Sequence, residues 1–284
     1  MCETEALTVP LPTLEVAVCT VGAEGIARVS QMLPERQEGV SYLVSWQRGE
    51  GCDVPQRLAS RRDVRIVMCG RKGLSANRNN ALDNACGDIV LIADDDLVYK
   101  PGAFDAVRRT FAEHPEVGYA TFMHDGPGER FYPAEETRLG LPLPRKFFQT
   151  SFEVALRRNS RAGRLRYCER FGLGSGRYIC GEEELLLRKA IRSGIDCRFF
   201  PVVIVAHPGV STGFNPSMRD GVNRVRGVLT VIDHPLTWPA RTLARCWRAD
   251  GLRGAVCGLR GAVCGLRGAV EACFSPWLRR YMES

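Results

Sequence analysis

The apolar run Asp88–Ala93 (DIVLIA) ends abruptly in three consecutive carboxylates, Asp94-Asp95-Asp96. A short apolar run of this kind reads as a buried strand, so the fold must bring its charged end out to the edge of a sheet. Similar runs, rich in β-branched residues, occur at Leu14–Thr20, Val40–Trp46, Val64–Cys69, Val117–Met123 and Ile195–Ala206. Helical character falls between them. It covers Ala23–Leu33, Leu74–Ala85 (apolar at Leu74, Ala81, Leu82 and Ala85) and the stretch from Pro101 to about Glu113. Gly181–Ser193 opens with acids and closes with bases, as a helix dipole prefers. Strands that alternate with helices predict an α/β fold, a mostly parallel sheet flanked by helices. The length of 284 residues suits one large domain or two small ones. We place the sheet domain at residues 1–235 and a basic, amphipathic helical tail at 236–284.

In open α/β sheets ligands bind in the crevice beyond the carboxyl ends of the strands, where the aspartate triplet must lie. Unpaired, these carboxylates would repel, so a divalent cation or hydrogen-bond donors must compensate them. Oxygen ligands suit Mg²⁺ or Mn²⁺, which in turn hold phosphates. The alternative is a solvated acidic loop that caps the helix after Pro101. Residues Asp125–Gly176, rich in Arg, Pro and Gly, lack a clean period. They read as a long excursion on the ligand side of the sheet, with a helix near Phe152–Arg158.

A composition with 45% hydrophobic and 25% charged residues excludes disordered, collagen-like and coiled-coil classes. The longest apolar runs are far too short to cross a bilayer. Met1–Thr8 carries two Glu and no Lys or Arg, unlike a signal peptide, so a cytoplasmic location is expected. The 12 cysteines are scattered without a CxxC pair and read as reduced packing residues rather than a disulfide or zinc framework. Of the net charge of +7, the last 44 residues hold +5, with eight arginines against Asp250, Glu271 and Glu283. A near-neutral body argues against nucleic-acid binding, and a basic tail argues for an acidic counterpart. The tail repeats GLRGAVC at Gly251–Cys257 and Gly258–Cys264, then GLRGAV at Gly265–Val270. Wound as a helix, it collects Leu252, Ala255, Val256, Leu259, Ala262, Val263, Leu266, Ala269 and Val270 on one apolar face, with Arg253, Arg260 and Arg267 on its flank. Its glycines make it weak alone, so it needs a surface, either its own domain, a second copy or an anionic membrane.

Ahead of the triplet lies Lys72-Gly73-Leu74-Ser75-Ala76-Asn77-Arg78-Asn79, and behind it Gly181-Glu182-Glu183-Glu184 and His207. With an opening strand that ends in Cys19-Thr20, this order resembles family 2 glycosyltransferases of the GT-A fold, over about residues 14–210. The resemblance implies that Thr20 and Gly22, with Glu24 nearby, line a nucleotide base pocket. Ser45 and Gln47 stand where many members keep an acid that contacts the base. Ser75 and Arg78 would border the nucleotide. Asp94 would contact the ribose or sugar beside Asp95, and Asp96 would ligate the metal with His207. The alternative for His207 is a satisfied surface histidine before Pro208.

The family's acceptor-side pair is Glu-Asp, whose Asp is the catalytic base; here Glu182 and Glu183 match it, and Glu183 is the expected base. A helix N-terminus merely rich in acids is the competing reading. The resemblance thus implies inverting, metal-dependent transfer from a nucleotide-sugar donor, with a UDP-sugar expected and Mn²⁺ or Mg²⁺ as cofactor. The acceptor hydroxyl would belong to a saccharide or lipid-linked molecule in cell-surface polysaccharide or glycolipid assembly. The tail would hold the protein peripherally on the inner face of the cytoplasmic membrane. A noncatalytic nucleotide-sugar-binding or scaffold protein of the same fold is the alternative.

Overall fold

The computed structural model describes residues 10–47, 51–127, 131–209, 216–241, 244, 255–273 and 275–283. The chain opens with β1 (Leu14–Val21), α1 (Gly22–Met32), β2 (Val40–Gln47), a short α2 (Gln56–Ala59), β3 (Val64–Met68), α3 (Leu74–Asn84) and β4 (Ile89–Ala93). There follow β5 (Val98–Tyr99), α4 (Ala103–Glu113), β6 (Tyr119–Asp125), β7 (Thr137–Arg138), β8 (Val154–Arg157), α5 (Glu182–Arg192) and β9 (Cys197–Ala206). The last helices are α6 (Arg219–Asp233), α7 (Ala255–Cys273) and α8 (Pro276–Glu283).

One sheet runs in the order β3-β2-β1-β4-β8-β6-β9-β5, with β7 also on β9. Strands β3, β2, β1 and β4 are mutually parallel, as are β6 and β9, whereas β8 runs antiparallel between β4 and β6. The chain leaves β1 towards β2 and leaves β4 towards the other half of the sheet. The carboxyl ends of β1 and β4 therefore flank the point where the winding reverses, the usual ligand crevice of such sheets. Both faces of these strands are covered. Leu14, Val16, Val18, Ile89, Leu91 and Ala93 join one core, and Ala17, Cys19, Val90 and Ile92 join the other. Burial on both sides explains the continuous apolar runs of the sequence.

One sequence expectation is overturned here. The segment expected as a helix near Phe152–Arg158 is a 3-10 turn, Ser151–Glu153, followed by strand β8. Val154, Ala155 and Leu156 are fully buried in the slot between β4 and β6, and tertiary pairing overrides a short local pattern.

The tail is helical over Ala255–Cys273 and packs on α6. Side chains before Cys264, and the whole of 245–254 with most of the first repeat, lie outside the described residues. In the described part the face turned inward is not the Leu/Val stripe. Gly265, Gly268, Ala269 and Ala272 are buried, Leu266 is half-buried, and Val270 is exposed. The reason is the closeness of the crossing. A Cβ on Gly227 of α6 would lie 1.9 Å from the Gly265 carbonyl oxygen, and one on Gly268 1.9 Å from that of Arg224. The glycines that weaken an isolated helix are thus what lets these two backbones touch. Glu271 seals the contact, accepting from Arg224 (2.7 Å), from Arg267 (3.0 Å) and from the Tyr178 hydroxyl (2.9 Å).

Candidate active site

At the β1 end of the crevice, Thr20 donates its hydroxyl to Asp95 at 2.5 Å, and Arg28 of α1 binds both oxygens of the same carboxylate at 3.0 Å. Gly25 permits this approach, since a Cβ there would sit 2.1 Å from Thr20 Oγ1. Asp95 is therefore held by its own chain. Gly22 accepts from the Trp46 indole at 2.9 Å, and Asn77 Nδ2 donates to the Thr20 carbonyl at 3.0 Å. Ser45 hydrogen-bonds Asn77 Oδ1 at 2.6 Å, and Gln47 donates to the carbonyls of Gly73 (3.2 Å) and Arg71. Ser75 donates to the Phe171 carbonyl at 2.6 Å. Ser45, Ser75 and Gln47 thus tie the start of α3 to β2 and to the loop beyond β8. Glu24 lies exposed on α1, outside this network.

Arg78 is the centre of the site. Its side chain is 1% exposed, and it meets three carboxylates: Glu182 at 2.8 Å, Asp94 at 3.0 Å and Glu183 at 3.4 Å. It also donates to Ser151 Oγ at 2.5 Å and lies over the Tyr167 ring. The strand end and the helix start, 88 residues apart between Asp94 and Glu182, are joined through this one guanidinium. Burial alone would weaken the cation; Asp94, Glu183 and Glu182 together hold its pKa well above the usual value. Buried in this way, Arg78 braces the carboxylates rather than lining an open pocket.

The three aspartates differ in openness. Side-chain exposure is 29% for Asp94, 12% for Asp95 and 43% for Asp96, so Asp96 is the one best placed to meet a ligand. His207, at the end of β9, brings Nε2 to 3.4 Å from Asp96. Its hydrogen bond holds the Asp96 carboxyl below the usual range, against the effect of burial. Among the described residues no cluster of three or more His, Cys, Asp or Glu side chains forms a metal cage. One carboxylate and one imidazole nevertheless fit Mg²⁺ or Mn²⁺ bound in the usual incomplete way, with substrate phosphates and waters filling the remaining positions.

Glu182, Glu183 and Glu184 form the first turn of α5. Glu182 is buried, and its Oε2 has no hydrogen-bond partner among the described residues. Glu183 is half-buried; burial, then the charge of Glu182, push its pKa well above the usual carboxylate range, while Arg78 opposes them. Glu184 is raised mainly by burial and turns towards the charges of Arg188 and Arg226. Glu183 therefore differs from an ordinary solvated helix-start acid. It is a carboxylate with high proton affinity, held across Arg78 from the aspartate edge.

The structure thus brings together Asp94, Arg78, Glu182 and Glu183, pairs Thr20 with Asp95, and pairs Asp96 with His207. Sequence reasoning missed Arg28, Asn77, Ser151 and Tyr167. Arg28 lies in the stretch VGAEGIAR after β1, where a lone base gave little signal. Ser151 and Tyr167 fall in the aperiodic excursion, and their partner Arg78 is more than 70 residues away.

Residues 54–171 match the family model described as glycosyl transferase family 2. No curated protein matches the chain in sequence. Among solved structures it resembles S. aureus TarS 1–349 at 15% identity, with a TM-score of 0.59 over 92% of this chain and 81% of that one. The same TarS fragment in complex with UDP-GlcNAc gives a TM-score of 0.60 at 15% identity, with the same coverage of both chains. Mannosyltransferase PcManGT from Pyrobaculum calidifontis, in complex with GDP-Man and Mn²⁺, gives 0.56 at 15% identity, over 95% of this chain and 92% of that one. At this identity the likeness establishes the fold. Among the described residues no helix is long and apolar enough to cross a membrane, and the described cysteines are free.

Proposed function

We propose that this chain acts as a family 2 glycosyltransferase on the GT-A fold and transfers a sugar from a nucleoside-diphosphate sugar to an acceptor hydroxyl with inversion. The observation that carries this reading is the half-buried Glu183, poised with raised proton affinity across Arg78 from the aspartate edge. The acceptor oxygen forms its bond to the anomeric carbon as the bond to the diphosphate oxygen breaks. The departing diphosphate keeps the electron pair, and the hydroxyl proton passes to the Glu183 carboxylate. A carboxylate with a raised pKa is the stronger base, and general-base assistance of this kind is worth about 10²–10⁴-fold. Glu182, anchored on Arg78, keeps the start of α5 in place and sustains the proton affinity of its neighbour.

On the donor side, Asp94, fixed by Arg78, is positioned to meet the ribose or sugar. Thr20, Gly22, Gln47 and Ser75 shape the end of the crevice where the base would sit, with Glu24 at its rim and Asp95 bracing β1 against β4. Asp96 and His207 would hold Mn²⁺ or Mg²⁺, which supplies charge neutralisation for the leaving diphosphate. A UDP-sugar is the donor we favour, since the S. aureus TarS fragment binds UDP-GlcNAc on this fold. For the acceptor we favour a saccharide or lipid-linked hydroxyl in polysaccharide or glycolipid assembly. A peripheral cytoplasmic location would suit it, with the exposed Arg267, Arg279 and Arg280 facing an anionic membrane.

The test is a panel of nucleotide sugars with Mn²⁺, read by release of nucleoside diphosphate and by the anomeric configuration of the product. Release that depends on Asp96 and is lost in Asp96→Ala supports the reading. A product with retained configuration overturns the inverting mechanism. For the tail, flotation on anionic vesicles should weaken when Arg279 and Arg280 are replaced by Gln; undiminished flotation removes them from membrane contact.

A further inference from the structure

The 3-10 turn Ser151–Glu153 touches three parts of the molecule through three consecutive side chains. Ser151 accepts from Arg78 at 2.5 Å, which ties the turn to the carboxylates of the proposed base. Glu153 closes a capping box with Thr150 and meets His124 Nδ1 at 2.8 Å, deep in the sheet. Tyr132 also donates to Glu153, so this end of the turn is pinned from both sides. Between them, Phe152 is buried at 3% exposure. Its ring stacks on the His207 imidazole, with centroids 5.0 Å apart and planes 29° apart, and meets the His124 ring edge-on at 5.0 Å.

The backbone of His207 is already fixed, since its N–H donates to the Asp125 carbonyl at 2.9 Å as β9 leaves β6. That bond leaves rotation of the imidazole about its side-chain torsions undetermined. The face of Phe152 limits that rotation to planes near parallel with its own, and in that orientation Nε2 points at Asp96. We infer that Phe152 is a positioning residue for the cation edge: the turn, locked by Arg78 on one side and His124 on the other, sets the angle of the His207 ring. This rests on the reading of His207 as a cation ligand. Outer partners that orient a ligating imidazole commonly change metal affinity by 10–100-fold when removed.

The experiment compares Phe152→Leu, which removes the ring, with Phe152→Tyr, which keeps it. Both are measured in the wild-type chain and in His207→Ala, with thermal melts to confirm folding. Mn²⁺ binding is followed in the presence of UDP by the electron paramagnetic resonance signal of the free ion. The expected result is that Phe152→Leu weakens Mn²⁺ by roughly tenfold, that Phe152→Tyr restores most of it, and that Phe152→Leu adds nothing once His207 is Ala. A metal-free readout accompanies it. The ring protons of His207 in the NMR spectrum should lose their ring-current shift in Phe152→Leu and keep it in Phe152→Tyr. Equal weakening by Phe152→Leu with and without His207, or unchanged affinity in a folded Phe152→Leu protein, overturns the positioning role. If His207→Ala leaves Mn²⁺ affinity untouched, it is the ligand assignment that falls, and the positioning role towards the cation falls with it.

Discussion

The chain carries two acid triplets, Asp94-Asp95-Asp96 and Glu182-Glu183-Glu184, and the fold treats them in opposite ways. The aspartates follow a strand, so successive side chains diverge and each finds its own partner: Arg78, Arg28 and His207 in turn. The glutamates open a helix, and the first two converge on Arg78, which already serves Asp94. At the open end, His207 holds Asp96 below the usual carboxylate range. Against the helix, burial and a like charge drive Glu183 well above it. Equal formal charge thus yields an ionised ligand at one site and a proton acceptor at the other. Solvent and neighbours decide which, not residue type.

The contrast is most severely tested by Glu183→Gln. Turnover should fall by about 10²–10⁴-fold, with donor affinity measured by calorimetry nearly intact; turnover like that of the wild type removes Glu183 from the role of base. The same variant should make the fold more stable near neutral pH. A carboxyl whose native pKa lies above its ordinary 4.5 keeps a proton that the unfolded chain has already released. Stability therefore declines as pH rises from the ordinary value through the raised one. Melting curves of Glu183→Gln should lose that decline, and an unchanged pH dependence contradicts the raised proton affinity.

Next in size is Arg78→Met, which strands the buried Glu182, the half-buried Glu183 and Asp94 without their cation. Breaking a buried pair on one side costs about 3–5 kcal/mol, to be read from denaturant unfolding; a loss below about 1 kcal/mol, the scale of an exposed pair, denies Arg78 its central place. Glu182→Gln should act more gently, by removing the like charge beside the base. The limb of the pH–rate profile that reports Glu183 should move to lower pH, and a move upward contradicts the repulsion. The smallest effect belongs to Arg28→Ala. Arg28 is half-exposed and Thr20 still holds Asp95, so chemical denaturation should register no more than about 1 kcal/mol.

Strands β1, β2, β4 and β6 were legible because each is apolar and largely buried on both faces, which leaves continuous runs. Strand β8 was not, for Val154–Leu156 is too short to show a period and owes its form to the slot between β4 and β6. The tail was legible as a helix, but its inward face was misread. Hydrophobicity favours Leu266, Ala269 and Val270, whereas close approach of two backbones buries Gly265 and Gly268 beside Ala269 and leaves Val270 exposed. The acids of the candidate site stand out in the sequence by type and order. Arg28, Ser151 and Phe152 carry no such mark, since each acquires its meaning from a partner far along the chain.

By itself, then, the sequence determined where strands alternate with helices, and that two clusters of carboxylates would close one strand and open one helix. These are local matters of hydrophobic period and of which residues a strand end or a helix start will accept. Only the tertiary structure decided that one guanidinium would be shared between the clusters, that a buried phenylalanine would lie against His207, and that Glu183 would bind its proton tightly while Asp96 does not. Proton affinity and ring orientation depend on desolvation and on distances of a few ångströms, and these exist only once residues far apart in the chain have been packed together.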